Sequence, residues 1–381
     1  MAAAGPAPAV AGTLSVEQVS VPGPNAKNPI PGYTVRFTGL IEVPDADKLR
    51  AEFSKIRAKA SPDGTRSPVT IEFSSQGGDL LEGIRIGYLL REFEVAAMVR
   101  KDDTCLSACA LAFLGGTQSR QPPSPIPSRR IAIGGKVGFH NFSINVTEIQ
   151  SETKGEAAAG IRKSFNLARA GVAQLMRFAA DMGIAPAFIS QLVSQPPEQW
   201  QLVVTVDDFL ETGSCPAGSL PNPGRTEVQA ANICLNATGG RIDVEPPRAQ
   251  RISVPAAQRR LLERVRDSIL GTNLKGTLAS QLAAVVVNSD QRLIDSVYAD
   301  LRAAGVVLPD MKGTYFEVPL ELGSAGPLMC HVSLSPDSLD AFDVALATSN
   351  GFFRAFRAPP PGCPLLFRYN GNDAINPGSV Q

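Results

Sequence analysis

Ser107 stands in DDTCLSACALAFLGG (102–116), between two cysteines and at the mouth of an apolar run that ends in paired glycines. The switch from Asp102, Asp103 and Thr104 to the apolar residues beyond predicts a helix start, with those three as N-cap candidates and Ser107 in the first turn. Nucleophilic attack is the chemistry such a position allows. Backbone N–H groups at a helix start lack partners within the helix, and they stabilise negative charge as it develops on a reacting oxygen. A serine hydroxyl needs a base within hydrogen-bond reach to take its proton. The chain has two histidines. His140 ends the strand-like KVGFH, whereas His331 lies far along the chain in a separate predicted domain, so His140 is the candidate base. A third feature is SSQGGD, where Gly77 and Gly78 follow a strand and precede a helix. Glycine lets a backbone N–H point into a site. Without a G-x-G-x-x-G run this is no dinucleotide motif. Taken singly, the three features read as an ordinary helix start, a structural histidine and a turn.

The elements that must position these residues alternate in type. YTVRFTGLIEV (33–43) alternates as a strand does, and 44–60 has helical spacing. PVTIEFSS (68–75) is strand-like, DLLEGIRIGYLLREF helical, and EVAAMVR a strand that feeds the Ser107 helix. RIAIGGKVGFHNFS (130–143) reads as a strand pair, 151–182 as a long helix, APAFISQLVSQ as a shorter one, WQLVVTV as a strand and DDFLETG as a helical turn. Strands alternating with helices imply βαβ units and a mainly parallel sheet, whose C-terminal strand ends are where ligands bind. The predicted organisation is a flexible segment over 1–32, an α/β domain over 33–213, a linker over 214–254 and a smaller α+β domain over 255–381. In the last, helices are expected near 256–270, 276–287, 290–305 and 336–348, with strands YFEVPLEL and LMCHVSL.

The order strand–GG–helix–strand–Ser-helix–strand–His resembles the ClpP/crotonase superfold, and within it the ClpP-like serine peptidases. The residues that carry the likeness are VRFTGLI, IEFSSQGGDLLEGIRIGYLL, CLSACALAFLGG and GFH, over roughly 33–213. The resemblance implies repeated ββα units and peptide-bond hydrolysis without metal or cofactor. It makes Ser107 the nucleophile, His140 the general base, and the N–H groups of Gly78 (or Gly77) and Ala108 the oxyanion hole. It also implies a peptide or protein substrate, and a homo-oligomer in which the 151–182 helix makes subunit contacts. From Ser107 to His140 the chain is longer than in that family, by about the length of QPPSPIPS, which reads as an inserted loop.

One family feature is missing. No aspartate stands at the triad-acid place before TVDDFLETG. Glu198 is the nearest acid, and Ser194 or a backbone carbonyl are the other candidates to orient the imidazole. Asp207 and Asp208 read as helix-cap residues. The rival chemistries are a cysteine nucleophile, a serine–lysine dyad using Lys101 or Lys136, and a crotonase-type reaction on acyl-CoA. The rival from another class is a catalytically weak or inactive module that binds peptides or partners in the same groove.

Whole-chain composition narrows the classes. The 381 residues carry 36 basic and 36 acidic side chains, which gives no electrostatic reason to expect nucleic acid. The stretch Arg225 to Arg266 has eight arginines against four acids and reads as a solvated linker. No apolar run approaches the roughly 18 residues needed to span a bilayer. Six cysteines fall as near neighbours, Cys105 with Cys109, Cys215 with Cys234 and Cys330 with Cys363, and predict disulfides in an oxidising compartment. A periplasmic or secreted location is therefore expected, with a cytoplasmic chain as the alternative. Two histidines and no CxxC pair argue against zinc.

Overall fold

The computed structural model describes residues 11–22, 29–59, 66–118, 126–141, 154–239, 247–268, 276–287, 290–321, 327–348, 351–353 and 355–377. The chain forms two compact units. The first takes in residues up to Leu220, together with Pro360–Gly362 and the stretch from Ala374. The second comprises Pro221–Pro359 and Cys363–Asp373.

In the first unit, β2 (Pro29–Thr38), β3 (Val69–Ser74) and β4 (Val95–Val99) each bury alternate residues, among them Val35 and Phe37, Ile71 and Phe73, and Ala97 and Val99. β1 (Thr13–Pro22) pairs antiparallel with β2. The six-stranded sheet runs β1-β2-β3-β4-β8-β11, with β8 (Arg129–Ala132) and β11 (Cys215–Ala217) parallel to their neighbours. Helices α1 (Asp45–Ala58) and α2 (Leu80–Phe93) fill the β2–β3 and β3–β4 connections, as βαβ units require. A second sheet joins β5 (Thr104–Leu106) parallel to β9 (Lys136–His140), and β10 (Trp200–Leu202) antiparallel to β9. It is stitched to the end of β3, because Ser75 N donates to Thr104 O at 2.6 Å and Leu106 N to Ser75 O at 3.0 Å. A short pair, β6 (Thr117–Gln118) and β7 (Ile126–Pro127), brackets part of the expected inserted loop; residues 119–125 lie outside the described ones. Helices α3 (Ala108–Phe113), α4 (Lys154–Met182), α5 (Pro186–Ser194) and α6 (Val206–Thr212) complete the unit.

The second unit is an antiparallel sheet in the order β12 (Gln250–Ile252), β13 (Thr314–Glu321), β14 (Pro327–Leu334), β15 (Phe342–Thr348) and β16 (Gly351–Phe353). Helix α7 (Thr226–Thr238) packs against β13, β14, β15 and the 3-10 turn Pro364–Arg368. Helices α8 (Val254–Asp267), α9 (Thr277–Val287) and α10 (Gln291–Ala303) share a core of Leu261, Leu262, Val265, Val297, Tyr298 and Leu301 with Tyr315, Ala347 and Phe352.

Four expectations are corrected. The segment 1–32 is not a flexible lead throughout. LSVEQVSV alternates well enough to form a ladder with β2, from Thr13 opposite Thr38 to Pro22 opposite Pro29, while residues 1–10 lie outside the described ones. The stretch 214–254 is not a linker, since it supplies β11 and α7. The expected helix over 336–348 is largely strand β15, because pairing to β14 and β16 outweighs the helix preference of its alanines. Cysteine neighbours in sequence are partners only once. Cys105 bonds Cys109, but Cys234 on α7 bonds Cys330 on β14, with Cα atoms 5.9 Å apart, because helix and strand pack together. Cys215 and Cys363 are disulfide-bonded as well. No described helix is long and apolar enough to cross a membrane.

Candidate active site

Ser107 does not sit in a helix's first turn, as the sequence suggested. Thr104–Leu106 is strand, and Ser107 is the junction residue before α3, at φ 55° and ψ −122°. A positive φ is costly for a residue with a side chain, so the surroundings must hold it. Three ties do so. The Ser107 N–H donates to Gly138 O at 2.9 Å, fixing the junction to β9. The Cys105–Cys109 disulfide closes over the junction from β5 to α3. Upstream, Arg36 on β2 grips Asp103 with two bonds of 3.0 and 2.9 Å, and Asp103 O accepts from Lys136 N of β9 at 2.9 Å. That grip raises the Arg36 pKa above its ordinary value, chiefly through the hydrogen bond to Asp103.

α2 presses on α3 through small residues. A Cβ on Gly83 would meet Ala108 O at 2.4 Å, and one on Gly115 would meet Gly87 O at 2.1 Å. Gly77 packs against the Ser107 junction, and Gly78 beside it packs against Ile41. Their φ values are 103° and 141°. A Cβ on Gly77 would lie 2.7 Å from both Leu106 O and Ser107 Cβ, and one on Gly78 would lie 2.2 Å from Ile41 O. No other residue type fits either place. The two glycines differ as donors. Gly77 N–H is spent on Ser75 Oγ at 3.1 Å, and Gly77 O accepts from Ile41 N at 2.8 Å. Gly78 is exposed, and Ala108 N–H opens α3, where no helical carbonyl precedes it. Gly77 N–H is therefore already engaged, whereas Ala108 N–H stands at the open start of α3 directly after Ser107.

The structure brings Ser107 and His140 together. Ser107 Oγ and His140 Nε2 are 2.8 Å apart. The other ring nitrogen, Nδ1, is 3.3 Å from Pro197 O. A carbonyl only accepts, so Nδ1 carries the proton and Nε2 is left to accept from the serine. Asn141 fixes that carbonyl's segment by donating to Val193 O and Gln195 O, each at 3.0 Å. Glu198 is exposed and makes no bond to the imidazole, and Ser194 Oγ is spent on Ser190 O at 2.6 Å. The backbone carbonyl is therefore the orienting group. Asp208 caps α6 in a reciprocal box with Thr205. Lys101 runs along Gly134, and the partner of Ser107 Oγ is His140 Nε2. The cysteines at 105 and 109 are oxidised and buried.

Sequence reading missed two contributors. Pro197 acts through its carbonyl, which no side-chain pattern reveals. Trp200 lies with its ring centroid 4.4 Å from that of His140; its place depends on the β9–β10 register. His331 is buried in the second unit, 2.5 Å from the Tyr315 hydroxyl, and takes no part in this site. Among the described residues no cluster suits a metal ion. Comparison with protein-family models and with curated proteins finds no match.

Proposed function

We propose that the first unit is a ClpP-like serine peptidase acting through a Ser107 acyl-enzyme. The observation that carries this reading is the 2.8 Å contact of Ser107 Oγ with His140 Nε2, made at a strained strand-to-helix junction that packs on Gly77 and opens α3 at Ala108. Ser107 Oγ attacks the peptide carbonyl carbon as its proton passes to Nε2. The carbonyl oxygen becomes an oxyanion held by Gly78 N–H and Ala108 N–H. Collapse breaks the C–N bond, and the imidazolium returns the proton to the leaving amine. Water then attacks the ester with His140 again as base, releasing the acid and restoring Ser107. The disulfides support an oxidising compartment, periplasmic or extracellular. A homo-oligomer contacting through α4 belongs to the same reading.

One observation favours the second reading, a weak or inactive binding module. The acceptor at Nδ1 is a neutral carbonyl at 3.3 Å, where a carboxylate would stabilise the imidazolium more strongly. Labelling with a fluorophosphonate serine-hydrolase probe separates the two. The peptidase reading expects labelling of the wild type at Ser107, abolished in Ser107→Ala and His140→Ala. A folded wild type that stays unlabelled from pH 6 to 9 favours the binding module.

A further inference from the structure

We infer that Trp200 is a positioning residue for His140, an aromatic face that holds the imidazole and steadies the positive charge it gains during acyl transfer. The inference rests on the serine-peptidase reading above. Three observations carry it. Trp200 is the residue directly opposite His140 in the antiparallel β9–β10 ladder, the spacing at which side chains on one face touch. The ring centroids are 4.4 Å apart with 42° between the planes, within the distance at which a cation over an indole is attracted by its quadrupole. The indole also has a prepared seat. Gly138 lies two residues before His140 on the same face of β9, and a Cβ there would come to 3.3 Å from Trp200 Cε3 and 2.6 Å from Leu202 Cδ2. A side chain at 138 would crowd the ring.

The need for such a group follows from the site. The imidazole makes no ion pair among the described residues. Its Nδ1 faces a neutral carbonyl, Glu198 before β10 is exposed, Lys136 at the start of β9 is itself a cation and offers no counter-charge, and Asp103 ahead of β5 is bonded to Arg36. When Nε2 takes the serine proton, the charge formed has one carbonyl dipole and one indole face to meet it. Trp200 itself is 42% exposed, so the contact is partly hydrated and its effect modest.

The chain has a single tryptophan, so its fluorescence reports this pair directly. An imidazolium in contact with an excited indole accepts an electron and quenches it, whereas a neutral imidazole does so weakly. Emission is followed while the pH is lowered from 8 to 5, in the wild type and in His140→Ala. In parallel, fluorophosphonate labelling rates are compared for the wild type, Trp200→Phe and Trp200→Leu, each first matched for thermal midpoint and circular dichroism. The expected result is acid quenching that disappears in His140→Ala. Labelling should be about fivefold slower in Trp200→Leu and largely restored in Trp200→Phe, which keeps an aromatic face. Emission curves that superimpose with and without His140 overturn the pairing. Equal labelling rates across the three chains overturn the role while leaving the peptidase reading intact. A wild type that is never labelled overturns that reading and the role together, whatever the emission shows.

Discussion

A proton kept on Nδ1 of His140 is what leaves Nε2 able to accept from Ser107, and here a backbone carbonyl keeps it there. The position of that carbonyl depends on Asn141, whose two amide bonds hold the chain around Pro197. Asn141→Ala removes both, about 1–2 kcal/mol of local restraint, so labelling should slow roughly tenfold with little change in thermal midpoint. Equal rates would mean the carbonyl is held by other contacts. Gly78→Ala is harsher, because its Cβ would collide with Ile41 O and move the N–H that the peptidase proposal assigns to the oxyanion. A rate loss of about 10²–10³ is expected on a fluorogenic peptide. Ser107, His140 and the paired glycines were legible in the sequence because chemistry restricts their types: imidazole is scarce here and the glycines follow a strand. Pro197 and Trp200 were not. One works through an atom every residue has, and the other through a cross-strand register that only the folded sheet sets.

At the scale of elements, the site is a strand-to-helix junction clamped from three directions. α2 supplies Gly83 and Gly87, spaced four apart on one helix face, so that α3 can approach its backbone. Gly83→Ala would push on Ala108 O and destabilise the first unit by about 1–3 kcal/mol, with slower labelling, measured by denaturant melts alongside the probe. Arg129 holds another junction. Fully buried, it donates to Thr212 O at the end of α6 and Met182 O at the end of α4, both at 2.7 Å, placing positive charge where two helix dipoles leave negative ends. Burial pulls its pKa down to about 9. Arg129→Met should cost about 3 kcal/mol or more, because two carbonyls lose their charged donor in a buried place. Alternation and helical spacing revealed most strands and helices of the first unit. β5 escaped because three residues are too few to show a period, and β1 because its alternation is embedded in an Ala/Pro-rich lead. β15 escaped because alanine-rich strands carry a helical preference that only ladder pairing overrides.

The whole molecule is two units in one chain, and the second has its own pH sensitivity. His331 is 2% exposed, beside Tyr315, with Glu317 at 3.9 Å and Arg260 bonded to Glu317 at 3.2 Å. Burial, with a smaller push from Arg264, lowers its pKa to about 3, against roughly 6.5 unfolded. Between those values the unfolded chain binds the extra proton. Stability of the second unit is therefore complete above about pH 6.5 and falls by up to about 1.4 kcal/mol per unit as pH drops toward 3. Urea melts of the wild type and His331→Phe should diverge in that window and run parallel above it. The Cys234–Cys330 bridge spans 96 residues, so reducing it should lower that unit's stability by about 4 kcal/mol. The division into two units was legible from length alone, but its boundary was not. The chain returns to the first unit after Asp373, and long-range returns leave no local mark.

The central claim, peptide hydrolysis at Ser107, is tested most directly by incubating an unstructured polypeptide with the full chain and reading the products by mass spectrometry, with Ser107→Ala as the matched control. The account predicts new peptide termini with the wild type and none with Ser107→Ala. An intact polypeptide after prolonged incubation with folded wild-type protein, or the same cleavage by Ser107→Ala, would contradict it.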